Sequence, residues 1–297
     1  MRFVTFSADG TNRLGVLQSD SGTIVDLSRA APDLPTEMTD LVALGGAGIK
    51  AAEKAVQSAS GDAIRPAASV KLCAPFPRPR RNILCVGKNY REHADEFHNS
   101  GFDASGTAAV PDYPIIFTKL PSSVIGPDEP IPSHLDPTNS VDYEGELAFV
   151  IGTPGRNITK ADSMSHVYGY TIINDATSRT QQNQHNQWFL GKSLDGFCPM
   201  GPALVTADEV GDVNTIRLQT RVNGEVRQDA SVSDLIFDIP TLIEVMSQGR
   251  TLETGDIVAT GTSVGVGIGF KPPKFLKPGD VVDITFDRVG TLSNPVE

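Results

Sequence analysis

Cysteine, long apolar runs and positive charge are all scarce in this chain, and each scarcity argues against a class of protein. Three cysteines among 297 residues (Cys73, Cys85 and Cys198) form neither a CxxC pair nor an even set. That pattern excludes a disulfide-stapled framework and a cysteine-rich zinc site, and it reads as buried thiols of a reducing compartment. No stretch of about 18 apolar residues occurs, so nothing reads as a membrane-spanning helix. The opening MRFVTFSADG is too short in apolar run for a secretory signal, and the expected location is the cytoplasm. Positive charge is also short: 25 Lys and Arg against 36 Asp and Glu leave a net charge of −11. A field of that sign repels phosphate chains and argues against nucleic acid as a partner. A small anionic substrate stays compatible if a cleft gathers its own positive charge.

What is present describes an ordinary globular protein, 39% hydrophobic and 21% charged, long enough for one large domain and a small one. Residues 2–6, 13–18 and 23–27 read as short strands separated by turns at Asp9-Gly10 and 19–22. Residues 36–58 are rich in Ala, Leu and Lys and read as helical, with a break at Gly45-Gly46. Three prolines at alternate positions, Pro75, Pro77 and Pro79, favour a stiff extended connector. A domain boundary is placed there, with a small α+β unit over 1–74 and a large unit over 75–297. Beyond it the pattern is mainly β with some α. Apolar runs at 82–86, 143–151, 257–260 and 281–286 read as strands, and 216–222 alternates into Asn223-Gly224, a type I′ hairpin signal. One helix begins near Pro240 and ends at Gly249, proline in its first turn and glycine past its end. The large unit is expected to be an antiparallel or mixed β structure.

Three acids stand out. In VDYEGELAFV (141–150) Glu144 and Glu146 share a strand face, because side chains alternate with period two. Two carboxylates so close repel unless a positive group lies between them, and a hard cation with oxygen ligands would relieve this. From this segment alone, two ordinary solvated glutamates explain the pattern equally well. Asp175 ends the apolar run of YTIINDATSR (170–179). It could face a cleft with Arg179 and Gln182 beyond it, or it could cap the next helix; the residues do not separate the two. His93 and Glu96 are three apart, on one helix face, although a charged surface helix is the simpler account of REHADE. Gly265-Val266-Gly267-Ile268-Gly269 lacks the Gly-Lys-Ser/Thr ending of a phosphate loop, and a nucleotide site is rejected. Trp188 and Phe189 read as core or pocket wall. His98, His134, His166 and His185 have no partner spacing and read as surface or structural.

Five segments taken in order resemble the fumarylacetoacetate hydrolase family. Gly87-Lys88-Asn89-Tyr90 with His93 and Glu96 resembles its G-x-N-Y-x-x-H-x-x-E segment, and Asp142-Tyr143-Glu144-Gly145-Glu146-Leu147 its D-x-E-x-E-L motif. Asn174 to Gln182 is similar to N-D-x-[ST]-x-R-x-x-Q, Gly191-Lys192-Ser193 to G-K-S, and 261–267 to the T-G-T-x-x-G-V-G motif. The resemblance covers residues 83–267 and implies a mixed β-roll catalytic domain, a homodimer, and one Mg²⁺ or Mn²⁺ per chain. It implies Glu144, Glu146 and Asp175 as metal ligands, His93 and Glu96 as the dyad that activates water, and Lys192 as an assisting catalytic group. Arg179, Gln182, Thr262, Tyr90 and Lys119 would bind substrate. Lys88 stands where mammalian-type members carry a further acidic ligand, so three protein carboxylates are expected. The segment 97–113 is longer than in compact bacterial members, and Gly101 and Gly106 would suit a lid over the substrate.

The reaction implied is hydrolysis of a carbon–carbon bond in an acylpyruvate or related β-diketo acid. Oxaloacetate decarboxylation and isomerisation of an unsaturated 2-oxo diacid use the same core. A non-catalytic metal- or 2-oxo-acid-binding protein would explain the three acids but not His93, Glu96, Lys192, Arg179 and Gln182 together.

Overall fold

Alternation at period two builds the centre of the molecule. In the computed structural model, which describes residues 1–103 and 110–297, the strand Gly145–Ile151 is buried along its whole length. Leu147, Phe149 and Ile151 enter one hydrophobic cluster, while Ala148 and Val150 enter another. A strand carries apolar residues on both sides only when both sheet faces are covered. Val167–Asn174, also buried throughout, pairs antiparallel with it, Gly145 opposite Asn174 and Glu146 opposite Ile173. Ile257–Thr262 lies antiparallel on its other side, with Glu146 opposite Thr262. Ile83–Gly87 follows in parallel and Ile115–Lys119 antiparallel, which makes the sheet mixed.

In the other direction the same sheet continues through Cys198–Thr206, Arg2–Ala8, Thr11–Gln18, Thr23–Asp26 and Ile64–Pro66. The joint is the antiparallel pairing of Arg2 with Val205 and Phe3 with Leu204. A second sheet, ordered Glu225–Ser231, Arg217–Val222, Val281–Phe286, Gly290–Pro295, is antiparallel throughout. Its Leu218, Ile284, Phe286 and Leu292 fill the cluster that holds Leu147 and Phe149. The architecture is mainly β with peripheral helices.

Several local expectations are met. Asn223 and Gly224 take φ of 52° and 81° and join two paired strands, as a type I′ turn requires. The helix Ile239–Ser247 has proline in its first turn and Asp238 as N-cap, its carboxylate accepting from Thr241 N. The expected break falls at Leu44, one residue before Gly45-Gly46, and separates Met38–Ala43 from Gly45–Ser58. Two details differ. Cys85 and Cys198 are buried, but Cys73 is only half-buried. The central strand begins at Gly145, so Glu144 precedes it. Among the described residues no helix is long and apolar enough to cross a membrane. Of the two glycines in the expected lid, Gly101 takes φ of 85° and Gly106 lies outside the described residues.

Candidate metal and catalytic site

Strand polarity collects the chemistry at one end of the sheet. The start of Gly145–Ile151 lies beside the ends of its two antiparallel neighbours. Glu144 and Glu146 therefore meet Asp175, which follows Val167–Asn174, and Thr262, the last residue of Ile257–Thr262. Ile83–Gly87, parallel to the latter, delivers Lys88 and the helix Arg91–Asn99 to the same end. Two bonds fix the junction: Asp175 N donates to Glu144 O (2.9 Å), and Glu144 N donates to Asn174 Oδ1 (3.0 Å).

Glu144, Glu146 and Asp175 are all buried, with one oxygen from each lying within 4.8 Å of the others. At an effective dielectric of about 20, two charges at that distance repel by roughly 3.5 kcal/mol, so three cannot stay ionised without cations. Lys192 Nζ supplies part of the balance, donating to Glu144 Oε2 (2.8 Å) and Asp175 Oδ2 (2.7 Å). Burial opposes charge on Lys192, but Asp175 and Glu144 outweigh it and raise its pKa. Burial likewise opposes ionisation of Glu144, yet Lys192 and Arg179 hold it down at about 2. Glu146 receives a hydrogen bond from Gly261 N (2.8 Å). Burial, then Asp175 and Glu144, push its carboxyl well above the usual range. Asp175 is not a helix cap, since Ser178 holds that position for Arg179–Gln184; it is fully buried beside Glu144 and Glu146, held by Lys119 and Lys192.

Three buried carboxylates with residual repulsion suit a hard divalent cation. Because Glu146 favours its protonated form without metal and a ligand must be ionised, metal binding should release protons. Calorimetric titration of the metal-free protein with Mn²⁺ is expected to give buffer-dependent heats and an affinity rising with pH. Identical heats in buffers of different ionisation enthalpy would contradict a protonated Glu146.

Arg179 is fully buried. Its Nε donates to Asp142 Oδ2 (2.9 Å), its Nη1 to Gln182 Oε1 (3.1 Å), and its Nη2 lies 2.6 Å from Glu144 Oε1. That last contact is an ion pair without hydrogen-bond alignment, because Nη2 has no aligned acceptor. Asp142 also accepts from Gly267 N (2.6 Å) and Ile268 N (3.1 Å). It thus ties the glycine-rich turn to the arginine, a role the sequence reading missed although the motif contains the residue. Lys119 is spent inside the protein. Its ammonium donates to Asp175 Oδ1 (2.6 Å), Ala176 O (3.0 Å) and the Lys192 carbonyl, which uses all three N–H bonds. The expected substrate contact is therefore corrected: Lys119 braces Asp175 and Lys192 and has no donor left for a ligand.

His93 is buried and Glu96 largely covered, contrary to the surface-helix alternative. His93 Nδ1 lies 3.1 Å from Glu96 Oε2, and Gly265 N donates to both Glu96 oxygens (3.1 and 3.3 Å). A carboxylate only accepts, so Nδ1 carries the proton and Nε2 is the basic nitrogen. The glycines once suggestive of a phosphate loop serve this contact. Gly265 has φ of 103°, and a Cβ on Gly269 would stand 1.8 Å from Glu96 Oε1, so neither position accepts a side chain without displacement.

These groups line a cavity of about 20 Å³ bounded by Lys88, His93, Phe97, Glu144, Glu146, Arg179, Gln182, Trp188, Lys192 and Thr262 among others. Trp188 is thus pocket wall. Gln182 keeps its amide NH₂ after accepting from Arg179. The Thr262 hydroxyl already donates to Gly145 O (3.0 Å) and accepts from Gln228 Nε2 (2.8 Å), so only its acceptor capacity remains. Tyr90 is 4% exposed and is not a lining residue; a substrate contact through it has no support in this geometry. Its neighbour Asn89 does structural work, donating to Thr260 O (2.7 Å) and Phe237 O (3.1 Å).

Residues 82–297 match the model of the fumarylacetoacetate (FAA) hydrolase C-terminal family. The chain is 44% identical over 308 residues to oxaloacetate tautomerase YisK of Bacillus subtilis (strain 168), covering all of both chains. It is 41% identical over 300 residues to the mitochondrial oxaloacetate tautomerase fahd2 of Xenopus laevis, covering all of this chain and 90% of that one. Among solved structures it superposes on maleylpyruvate hydrolase from Sphingobium sp. SYK-6, in complex with a manganese(II) ion and pyruvate. The TM-score is 0.78 and the identity 31%, over all of this chain and 98% of the other.

Proposed function

The chain belongs to the fumarylacetoacetate hydrolase family, and we propose that its reaction is the keto–enol tautomerisation of oxaloacetate or a close 2-oxo diacid. The observation that carries the reading is His93, backed by Glu96, on the wall of a cavity that Glu144 and Glu146 also line, with Asp175 grouped behind them. Tautomerisation needs one base, one site for negative oxygen and no second reactant. When bound at Glu144, Glu146 and Asp175, Mg²⁺ or Mn²⁺ would act as a Lewis acid toward the 2-oxo oxygen.

The protein's part is proton transfer and alignment. Nε2 of His93 takes a proton from C3 of the keto form, and the electron pair of that bond moves to C2–C3 while the oxygen gains the charge. A proton delivered to the oxygen completes the enol, and the reverse sequence returns the ketone. Glu96 stabilises the imidazolium between the two transfers. The Lys192 ammonium, held by Glu144 and Asp175, places positive charge beside the developing oxyanion. The amide NH₂ of Gln182 is available to the 1-carboxylate, and the Arg179 guanidinium that holds Gln182 Oε1 adds positive charge beside it.

Acylpyruvate hydrolysis is the second reading, favoured by the fully overlapping likeness to maleylpyruvate hydrolase. It asks the same base to activate a water in addition to the substrate, whereas tautomerisation needs no second reactant. The test is ultraviolet decay of enol-oxaloacetate with Mn²⁺ or with chelator, beside pyruvate release from oxaloacetate and a panel of acylpyruvates. Metal-dependent acceleration of enol decay without pyruvate is the expected result. Pyruvate from an acylpyruvate would move the assignment to hydrolase, and pyruvate from oxaloacetate alone to decarboxylase.

A further inference from the structure

We infer that Lys88 is the specificity residue that reads the distal carboxylate of a dicarboxylic 2-oxo acid, with Asp103 as its counter-ion until substrate takes that place. The inference rests on a 2-oxo acid being held at the three carboxylates, and it is independent of which reaction follows.

Four cations are buried around the site. Arg179, Lys192 and Lys119 are committed to Asp142, Glu144 and Asp175. Lys88 differs: its Nζ pairs with Asp103 Oδ2 at 2.7 Å, both side chains almost wholly buried, while Lys88 itself lines the cavity. The Phe97 ring has Lys88 Nζ 5.5 Å and Arg179 Cζ 5.9 Å from its centroid, so the two cations flank one aromatic wall. Lys88 takes φ of 53°, a left-handed conformation that non-glycine residues rarely adopt and that clusters at functional sites. A buried lysine in a strained backbone is an expensive way to make a merely structural ion pair.

A 2-oxo diacid carries a second negative charge into this cavity, in a protein of net charge −11. Buried without a cation, that carboxylate would oppose binding. Lys88 can exchange partners without stranding Asp103, since the same Oδ2 also lies 3.2 Å from Nδ1 of half-exposed His98. Among the described residues, neither of the other cations on the cavity wall, Arg179 and Lys192, can turn away from its acid without exposing a prospective metal ligand, or the acid that anchors Arg179, to uncompensated burial.

Calorimetry on the Mn²⁺-loaded protein with 2-oxoglutarate and 2-oxopentanoate, which differ only in the distal carboxylate, tests this directly. The wild type should prefer 2-oxoglutarate by roughly 10- to 100-fold, the range of a charge-assisted hydrogen bond. Lys88→Met should collapse that ratio toward one, and Asp103→Asn should preserve or widen it. The double variant K88M/D103N removes both charges together, so a folding defect from a stranded Asp103 cannot mimic the result. The inference is overturned if the wild type shows no preference, or if the preference survives in K88M/D103N. Enol decay and pyruvate release, measured separately, report on the reaction; their failure would leave the binding ratio readable.

Discussion

His93→Ala is expected to lower kcat/KM for the turned-over substrate by about 10²- to 10⁴-fold, the usual contribution of a positioned general base, while the protein stays folded and keeps its metal affinity. The histidine is not a prospective metal ligand, and its removal strands only one partner. Glu96 would still accept from Gly265 N, so the turn keeps its anchor. The deleted ring leaves space on the cavity wall, and added imidazole should restore part of the lost rate. Rescue separates lost proton transfer from general disorder, which imidazole does not repair. Glu96→Gln is a milder counterpart. The amide can still meet Nδ1, but it offers no negative charge to the imidazolium, so activity should fall without loss of metal binding. A His93→Ala rate within threefold of wild type would remove the dyad from any mechanism.

Much of the fold could be read in advance because its determinants are local. Asn223-Gly224 announces its turn through the two positive φ angles it permits, and the helix at 239–247 announces its ends through Pro240 and Gly249. Strand alternation placed Leu147, Phe149 and Ile151 opposite Ala148 and Val150. The acids of the site were legible only in part: Glu144 and Glu146 share a strand face, but solvated glutamates explained them equally well until the family resemblance grouped them with Asp175. Partners set by tertiary contact were not legible. Lys119 follows the same apolar run whether it ends in solvent or, as here, against the Lys192 carbonyl 73 residues away. Asp142 looks like one more acid of a cluster until the guanidinium of Arg179 and the amides of Gly267 and Ile268 converge on it. Nothing local tells Arg2–Ala8 that its neighbour is Cys198–Thr206, with Arg2 set opposite Val205.

That distinction matters most for Arg179, which the sequence offers as a substrate ligand and the structure makes a keystone as well. Arg179→Met should destabilise the metal-free protein by about 3–5 kcal/mol, the cost of stranding buried charges, because both Asp142 and Glu144 lose their guanidinium at once. Thermal unfolding should fall by roughly 6–20 °C at that loss in a chain of this size. Adding Asp142→Asn to the variant removes one stranded charge, so the pair should lose less than the single change. The pH dependence fixes the cause. Burial already raises the Asp142 carboxyl even with Arg179 opposing it, and without the guanidinium it rises further. A carboxyl whose folded pKa exceeds its unfolded value binds more protons folded than unfolded, so its stabilising contribution is gained as pH falls and lost as pH rises. The deficit of Arg179→Met relative to wild type should therefore shrink between pH 7 and pH 5. A deficit that stays constant over that range would mean that lost packing, not stranded charge, is what the substitution exposes. Unfolding within 2 °C of wild type would show that the arginine serves the ligand alone.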